Sequence, residues 1–147
     1  MGPDIKNPDF AECIKRKRIR EFSQGTALVS KELQIAGRDS AEALESLGRS
    51  NYKWATIQAY YSMFHTARAL LYKKNYREKS HYCLIIALRA LYIEEGKLPV
   101  HFVEYLQNGK RLREDADYYE QWSEVGAEEM VNMAKEFLLT AHKILNS

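Results

Sequence analysis

The chain has 147 residues, of which 46% are hydrophobic and 29% are charged, and its formal net charge is +2. This length suits one domain with a single filled core. The small net charge excludes a global basic field for nucleic acid, so any phosphate-binding surface must be local.

Residues 1–8 contain two of the three prolines and are predicted to form an extended lead-in. Asp9 can cap a helix, which is predicted to run through residue 23. Within it, residues 15–20 (KRKRIR) carry five positive charges. The simpler interpretation of this run is a solvated helix face. The alternative is a strip that contacts phosphates.

Residues 52–74 form the predicted central helix. Its apolar side chains, Tyr60 among them, recur in steps of three and four on two adjacent stripes, and such a helix is usually surrounded by other helices. A third stripe carries polar tips that need partners if they are buried. That stripe consists of Gln58, Tyr61, His65, Arg68 and Tyr72.

Helical periodicity also covers residues 26–46, 81–95 and 100–117, and a last helix begins near Ser123. Ser80 is the predicted N-cap of the helix over 81–95. No alternating strand pattern is evident, so the sequence predicts an all-α protein of about five helices.

Cys13 and Cys83 are far apart in the sequence, and no secretory segment is evident, so free thiols in a reducing compartment are predicted. No run approaches the ~18 apolar residues of a membrane span. The sequence therefore predicts a cytoplasmic protein with no membrane partner.

Neither a metal site nor a cofactor site is predicted. His65 and His81 lack a ligand pattern such as H-E-x-x-H. The glycines are scattered, so there is no Gly-rich loop to hold phosphates.

Several cations are candidates for binding an anion. Arg77, Lys79 and His81 lie at a predicted helix start, where backbone N–H groups and the helix dipole favour negative charge. The alternative is a capping histidine with solvated cations. Arg68 lies between apolar stripes, so it must face a polar cavity or form a buried ion pair with an acid from another helix.

Arg113 lies near the end of the helix over 100–117. With Asp117 and the tyrosines that follow, it could line the mouth of a pocket. An i,i+4 surface pair between Arg113 and Asp117 is the simpler alternative.

The segments AYYSMFHTARALL, KSH, LREDADYY and EEMVNMAKEFL together resemble the HEPN domain family, in particular its small stand-alone archaeal and bacterial members. The resemblance covers residues 52–145 well. It implies an up-and-down helical bundle in a single domain over residues 9–147, often a homodimer. It also implies a minimal nucleotidyltransferase as partner in a toxin–antitoxin pair, and either RNA binding or metal-independent ribonuclease activity.

Ribonuclease members of the family carry an arginine and a histidine with four to six residues between them. Here Asp117 and Tyr118 stand in the region after Arg113 where that histidine is expected, and Arg77 and His81 have only three residues between them, one too few. The resemblance therefore favours nucleotide or RNA binding without cleavage. The predicted binding residues are His65, Arg68, Lys79, His81 and Arg113.

Two alternatives stay open. A metal-independent ribonuclease would use Arg113 with Asp117 or Tyr118, or Arg77 with His81. A non-enzymatic interaction module would use its exposed tyrosines and apolar faces for dimerisation alone.

Overall fold

The computed structural model describes residues 7–146. The all-α prediction is confirmed, with six α-helices in this part of the chain. A short two-stranded sheet and one π-helical segment accompany them. The elements in chain order are α1 (Pro8–Lys15), β1 (Ile19–Glu21), α2 (Gly25–Gly48), α3 (Tyr52–Lys73), β2 (Tyr76–Glu78), α4 (His81–Leu88), the π-helical segment (Arg89–Ile93), α5 (His101–Tyr118) and α6 (Glu124–Leu145).

Helix α3 is the centre of the bundle, as predicted. It packs against α2, α5 and α6, and both of its apolar stripes contribute to the core. Small residues let α2 approach it closely, since Ala36 and Ala43 of α2 are fully buried. The Ser62 hydroxyl of α3 donates a hydrogen bond of 2.8 Å to the Ala36 carbonyl.

Serine side chains cap two helices, and the cap at Ser80 was predicted. The Ser80 hydroxyl accepts a hydrogen bond from the Cys83 amide at the start of α4, at 3.1 Å. The Ser123 hydroxyl accepts one from the Gly126 amide at the start of α6, at 2.9 Å. Each cap satisfies a backbone N–H that the helix itself leaves unpaired.

The prediction of one helix over residues 9–23 is wrong. Helix α1 ends at Lys15, and Lys17 adopts a positive φ of 60° before the chain enters β1. Strand β1 pairs antiparallel with β2, with Arg20 opposite Arg77. The strands are three residues long, too short for a periodic signal, and β1 is stabilised by a partner more than fifty residues away. Of the predicted lead-in, Pro8 opens α1 and residues 1–6 lie outside the described part of the chain.

The prediction of free thiols is also wrong. Cys13 of α1 and Cys83 of α4 form a disulfide whose Cα atoms are 5.9 Å apart, within the usual range for such bonds. Both cysteines are buried. Their distance along the chain concealed their proximity, which arises because the β1–β2 pairing brings α1 against α4.

None of the helices in residues 7–146 is both long enough and apolar enough to cross a membrane.

The disulfide closes a loop with a sequence separation of 70 residues, which restricts the unfolded chain strongly. We expect the Cys13→Ser/Cys83→Ser double variant to lose about 2–4 kcal/mol of unfolding free energy. Urea unfolding followed by circular dichroism measures this loss. A reductant should destabilise the wild type and leave the double variant unchanged. Two titratable thiols in the unreduced wild type, with equal stability of both proteins, would contradict the prediction.

Candidate functional site

The third stripe of α3 finds its partners among the surrounding elements. Four of its five polar tips form side-chain contacts with other parts of the chain, and the fifth, the buried Tyr72, packs its ring against Phe22 at 5.0 Å. The four contacts are Gln58 with Ser46, Tyr61 with Arg113, His65 with Glu32, and Arg68 with Glu78.

Arg68 forms a buried ion pair with Glu78 of β2. Its Nε and Nη2 donate to the two carboxylate oxygens at 3.0 and 2.9 Å, and the Glu78 side chain is only 5% exposed. The guanidinium carbon also lies 4.5 Å from the centre of the Phe64 ring. Burial lowers the pKa of Arg68, but the hydrogen bonds and charge of Glu78 outweigh it, so the pKa is raised overall. Arg68 thus forms a buried ion pair, the alternative that the sequence left open, but its partner lies on a strand and not on another helix.

His65 is held in a similar way. Its Nδ1 lies 2.6 Å from a carboxylate oxygen of Glu32 on α2, and both side chains are largely buried. The carboxylates of Glu32 and Glu78 therefore contact the polar ends of the His65 and Arg68 side chains. These contacts connect α3 to α2 and to β2.

Arg113 of α5 has a different environment. Its guanidinium carbon lies 5.3 Å from the ring centres of Tyr61 and Tyr118 and 5.9 Å from that of Tyr60. Its Nη2 donates to the Tyr61 hydroxyl at 2.7 Å and lies 3.4 Å from Asp117. The Nε is buried and has no partner within residues 7–146. Burial opposes the charge, but the neighbouring tyrosines and Asp117 raise the pKa of Arg113, so the guanidinium stays protonated.

His81 also lies near Tyr60. It is the first residue of α4, and its ring centre is 6.1 Å from that of Tyr60. Its Nε2 is buried and has no hydrogen-bond partner in the described residues. Burial and the positive charge of Lys110 lower the pKa of His81 to about 4, against a smaller opposing effect of Glu114. The imidazole is therefore neutral near pH 7.

Tyr60 neighbours both of these groups and stays protonated. Burial raises the pKa of its hydroxyl to about 12, although the charge of Arg113 opposes the shift. We call Tyr60, Tyr61, His81, Arg113 and Tyr118 the Arg113 site. It combines a charged guanidinium, a neutral imidazole and aromatic rings, two of which belong to the exposed side chains of Tyr61 and Tyr118.

The predicted site residues thus fall into three groups. His81 and Arg113 border the same tyrosine ring, with Asp117 and Tyr118 beside Arg113. His65 and Arg68 are occupied by carboxylates. Arg77 and Lys79 belong to β2 and the residue after it, where Lys79 is exposed and Arg77 stacks on Phe22.

No group of three or more histidine, cysteine, aspartate or glutamate side chains within residues 7–146 has an arrangement that could hold a metal ion.

Comparison with known proteins establishes the family. The model of the HEPN domain matches residues 29–145, from the first turns of α2 to the end of α6. The chain belongs to the HEPN domain family. The family resemblance inferred from the sequence is thereby confirmed, while α1 and β1 precede the matched residues.

Two curated proteins of Methanocaldococcus jannaschii are similar to this chain. The protein named "Putative toxin MJ0605" is 28% identical over 135 residues, which cover 91% of this chain and 96% of that protein. The protein named "Putative toxin MJ0142" is 35% identical over 80 residues, which cover 54% of each.

Sequence reasoning missed the contribution of Tyr60, which was assigned only to an apolar stripe, and that of Lys110. It placed Tyr61 on the polar stripe without identifying Arg113 as its partner. The available signal was chemical: a tyrosine hydroxyl on a largely buried helix requires a partner, and an arginine on a neighbouring helix is a suitable one.

If Arg68 serves structure, removing its partner should cost stability. The Glu78→Gln variant keeps the shape of the side chain but leaves the buried guanidinium uncompensated, so we expect it to lose about 2–3 kcal/mol of unfolding free energy. The matched control is Glu12→Gln, which breaks the exposed pair with Arg16 and should cost less than about 1 kcal/mol. Urea unfolding of both variants checks this prediction, and equal losses would contradict it.

The environment of His81 predicts a pH dependence of stability. Its pKa falls from the ordinary value of 6.5 to about 4 on folding, so between these values the unfolded chain binds more protons. Stability therefore rises with pH through this window and is lost as the pH falls through it.

The His81→Gln variant should lose this contribution. We expect its unfolding free energy to differ less between about pH 5 and pH 7 than that of the wild type. His142→Gln, a change at an exposed position of α6, serves as the control and should keep the wild-type difference. A wild-type pH profile in His81→Gln would refute this account of the imidazole.

Proposed function

We propose that this HEPN protein is one component of a toxin–antitoxin-like pair and binds RNA or a nucleotide at the Arg113 site. The observation that carries the proposal is the environment of Arg113. Its charge is held among three tyrosine rings, and its buried Nε has no partner in the described residues. The names of the two relatives support the toxin–antitoxin part of the proposal.

The chemistry of the Arg113 site suits a nucleotide. A guanidinium recognises phosphate oxygens through paired N–H donors, and the free Nε supplies one such donor. Exposed tyrosine rings provide surfaces on which bases stack, and Tyr61 and Tyr118 are at least partly exposed. The neutral His81 imidazole can donate or accept one hydrogen bond.

Metal-independent RNA cleavage is the second candidate. The proximity of His81 and Arg113 to one tyrosine ring favours it, since an imidazole can move a proton while a guanidinium stabilises phosphorane charge. The lowered pKa of His81 opposes it, because an imidazole with a pKa of about 4 is a weak base near neutral pH and is almost never protonated to act as an acid. Binding without cleavage therefore fits better.

A nucleotidyltransferase partner and a homodimer are also part of the proposal, and they come from the family resemblance. An aromatic surface near the end of α5 supports an interaction role. There Lys53 lies 5.8 and 5.6 Å from the ring centres of Trp54 and Trp122, and its Nζ is 2.6 Å from Glu120. Both tryptophans are exposed. Light scattering at micromolar concentration tests this part of the proposal. A monomeric mass for the protein, both alone and mixed with the nucleotidyltransferase, would refute it.

The test of binding is the Arg113→Gln variant, titrated with ATP by calorimetry and with a labelled single-stranded RNA by fluorescence anisotropy. We expect affinity for the bound ligand to fall roughly tenfold, because a charge-assisted contact to phosphate is lost. The control is Arg111→Gln, which removes an exposed guanidinium two residues away on the same helix.

The same RNA, run on a denaturing gel, separates the two candidate functions. Intact RNA with the wild type supports binding alone. If the wild type produces RNA fragments and neither Arg113→Gln nor His81→Gln does, ribonuclease activity replaces binding alone as the function. Wild-type protein that binds neither ATP nor RNA would overturn both.

A further inference from the structure

The small sheet gathers four cations on its outer face. Arg20 of β1 is directly opposite Arg77 of β2. The Lys79 amide donates a hydrogen bond of 2.8 Å to the Arg18 carbonyl, which extends the ladder by a further pair of residues. Because side chains alternate along a strand and opposite residues share a side, all four side chains lie on one face. We call Arg18, Arg20, Arg77 and Lys79 the ribbon face.

Burial confirms which face this is. The residues between the four cations turn to the protein interior, where Ile19, Tyr76 and Glu78 are all buried. Arg18, Arg20 and Lys79 are exposed, and Arg77 is half-buried. The ribbon face therefore points to solvent.

Charge on the ribbon face is not balanced by the described residues. No carboxylate within residues 7–146 forms an ion pair with any of the four cations. The Arg77 guanidinium carbon lies 5.4 Å from the ring centre of Phe22. Like charges directly opposite one another destabilise a sheet. Two successive cross-strand pairs of like charges are therefore expected where a ligand with several negative charges binds and offsets the repulsion.

Contacts on the buried side of the sheet hold the two strands, and with them the four cations, in register. The disulfide joins Cys13, before β1, to Cys83, after β2. The ion pair of Glu78 with Arg68 fixes the buried side of β2. The four charges are thus held close together by covalent and buried contacts that do not involve them.

An aromatic side chain lies beside this surface. A cavity of about 550 Å³ next to the ribbon face is lined by Arg16, Arg18, Ser80 and the exposed ring of Tyr82. Asp9 and Glu12 also line it, and Glu12 is paired with Arg16 at 2.8 Å. Aromatic rings next to cations are the combination that single-stranded nucleic acid uses, with bases on the rings and phosphates on the cations.

We propose that the ribbon face binds the sugar–phosphate backbone of single-stranded RNA, with an unpaired base stacked on Tyr82. The inference takes RNA as the ligand from the proposed function, but it concerns a separate surface from the Arg113 site. Arg18 and Arg20 lie before the residues that match the HEPN model, so this surface is built partly by a segment outside the matched domain.

The experiment measures binding of a labelled single-stranded RNA of about 16 nucleotides to the disulfide-bonded protein at several salt concentrations. In Arg18→Gln/Arg20→Gln we expect roughly tenfold weaker binding at low salt. The slope of log affinity against log salt should become smaller by about 1.4, as two lost phosphate contacts predict. Tyr82→Ala should weaken binding while keeping the wild-type slope.

The matched control is Arg38→Gln/Lys135→Gln, which removes two exposed cations from α2 and α6 and should bind as the wild type does. Thermal unfolding excludes a folding defect as the cause. Since Arg18→Gln/Arg20→Gln relieves repulsion across the strands, its melting temperature should equal or exceed that of the wild type.

The outcomes separate this inference from the proposed function. If Arg18→Gln/Arg20→Gln binds RNA like its control while Arg113→Gln binds weakly, the ribbon inference is overturned and the proposed function stands. If instead Arg18→Gln/Arg20→Gln binds weakly while Arg113→Gln binds like its control, the ribbon inference is supported and the proposal that RNA binds at the Arg113 site is overturned. If polyglutamate or anionic vesicles bind as tightly as RNA, the assignment to RNA is overturned.

Discussion

The ion pair between Arg68 and Glu78 is the contact on which the candidate surfaces depend. It joins α3, the helix that contributes the largest number of buried residues, to the second strand of the small sheet. The residues that follow this strand open α4 with His81, so the pair also determines where that imidazole lies. Because both members are largely buried, each depends on the other for neutralisation, and the strand cannot leave the helix without exposing an unpaired charge to an apolar environment.

The other polar residues of α3 follow the same principle. A helix in the middle of a bundle can carry polar groups only where neighbouring elements supply partners. Glu32 provides one for His65, and the Ala36 carbonyl provides one for Ser62. These contacts determine how α2 and α3 face each other, and they leave His65 and Arg68 with little capacity for a ligand. Arg113 differs because its surroundings are mostly aromatic and one of its nitrogens is unpaired.

Much of the helical framework could be predicted from the sequence, because long helices repeat their pattern over many turns. Tyr52–Lys73 showed two apolar stripes, and Ser80 and Ser123 marked helix starts by local chemistry alone. The strands and the disulfide could not be predicted. Each depends on a contact between residues far apart in the chain, for which three-residue strands and two isolated cysteines give no local signal.

The site residues show the same limit. The sequence indicated that Arg68 needs a partner, but not whether the partner was a ligand or Glu78. It placed Tyr60 on an apolar stripe, and the structure does bury it, yet the same ring also neighbours both Arg113 and His81. Residue type predicts the chemistry of a side chain, whereas its role depends on which neighbours the fold brings to it.

The two sides of one short strand, β2, differ in whether their charges are paired. Along β2 and into the following turn, Tyr76 and Glu78 point inward, while Arg77 and Lys79 lie on the opposite side. The inward carboxylate is satisfied by Arg68, so it is not available to neutralise the outward cations. Because side chains alternate along the strand, the charge that stabilises the fold lies on the buried side, and the charges without a carboxylate partner lie on the outer side. A helix over residues 15–20, as the sequence suggested, would have placed Arg18 and Arg20 on different sides of its circumference. Pairing as strands instead aligns them in two rows, an arrangement that suits a polymer with regularly repeating negative charge.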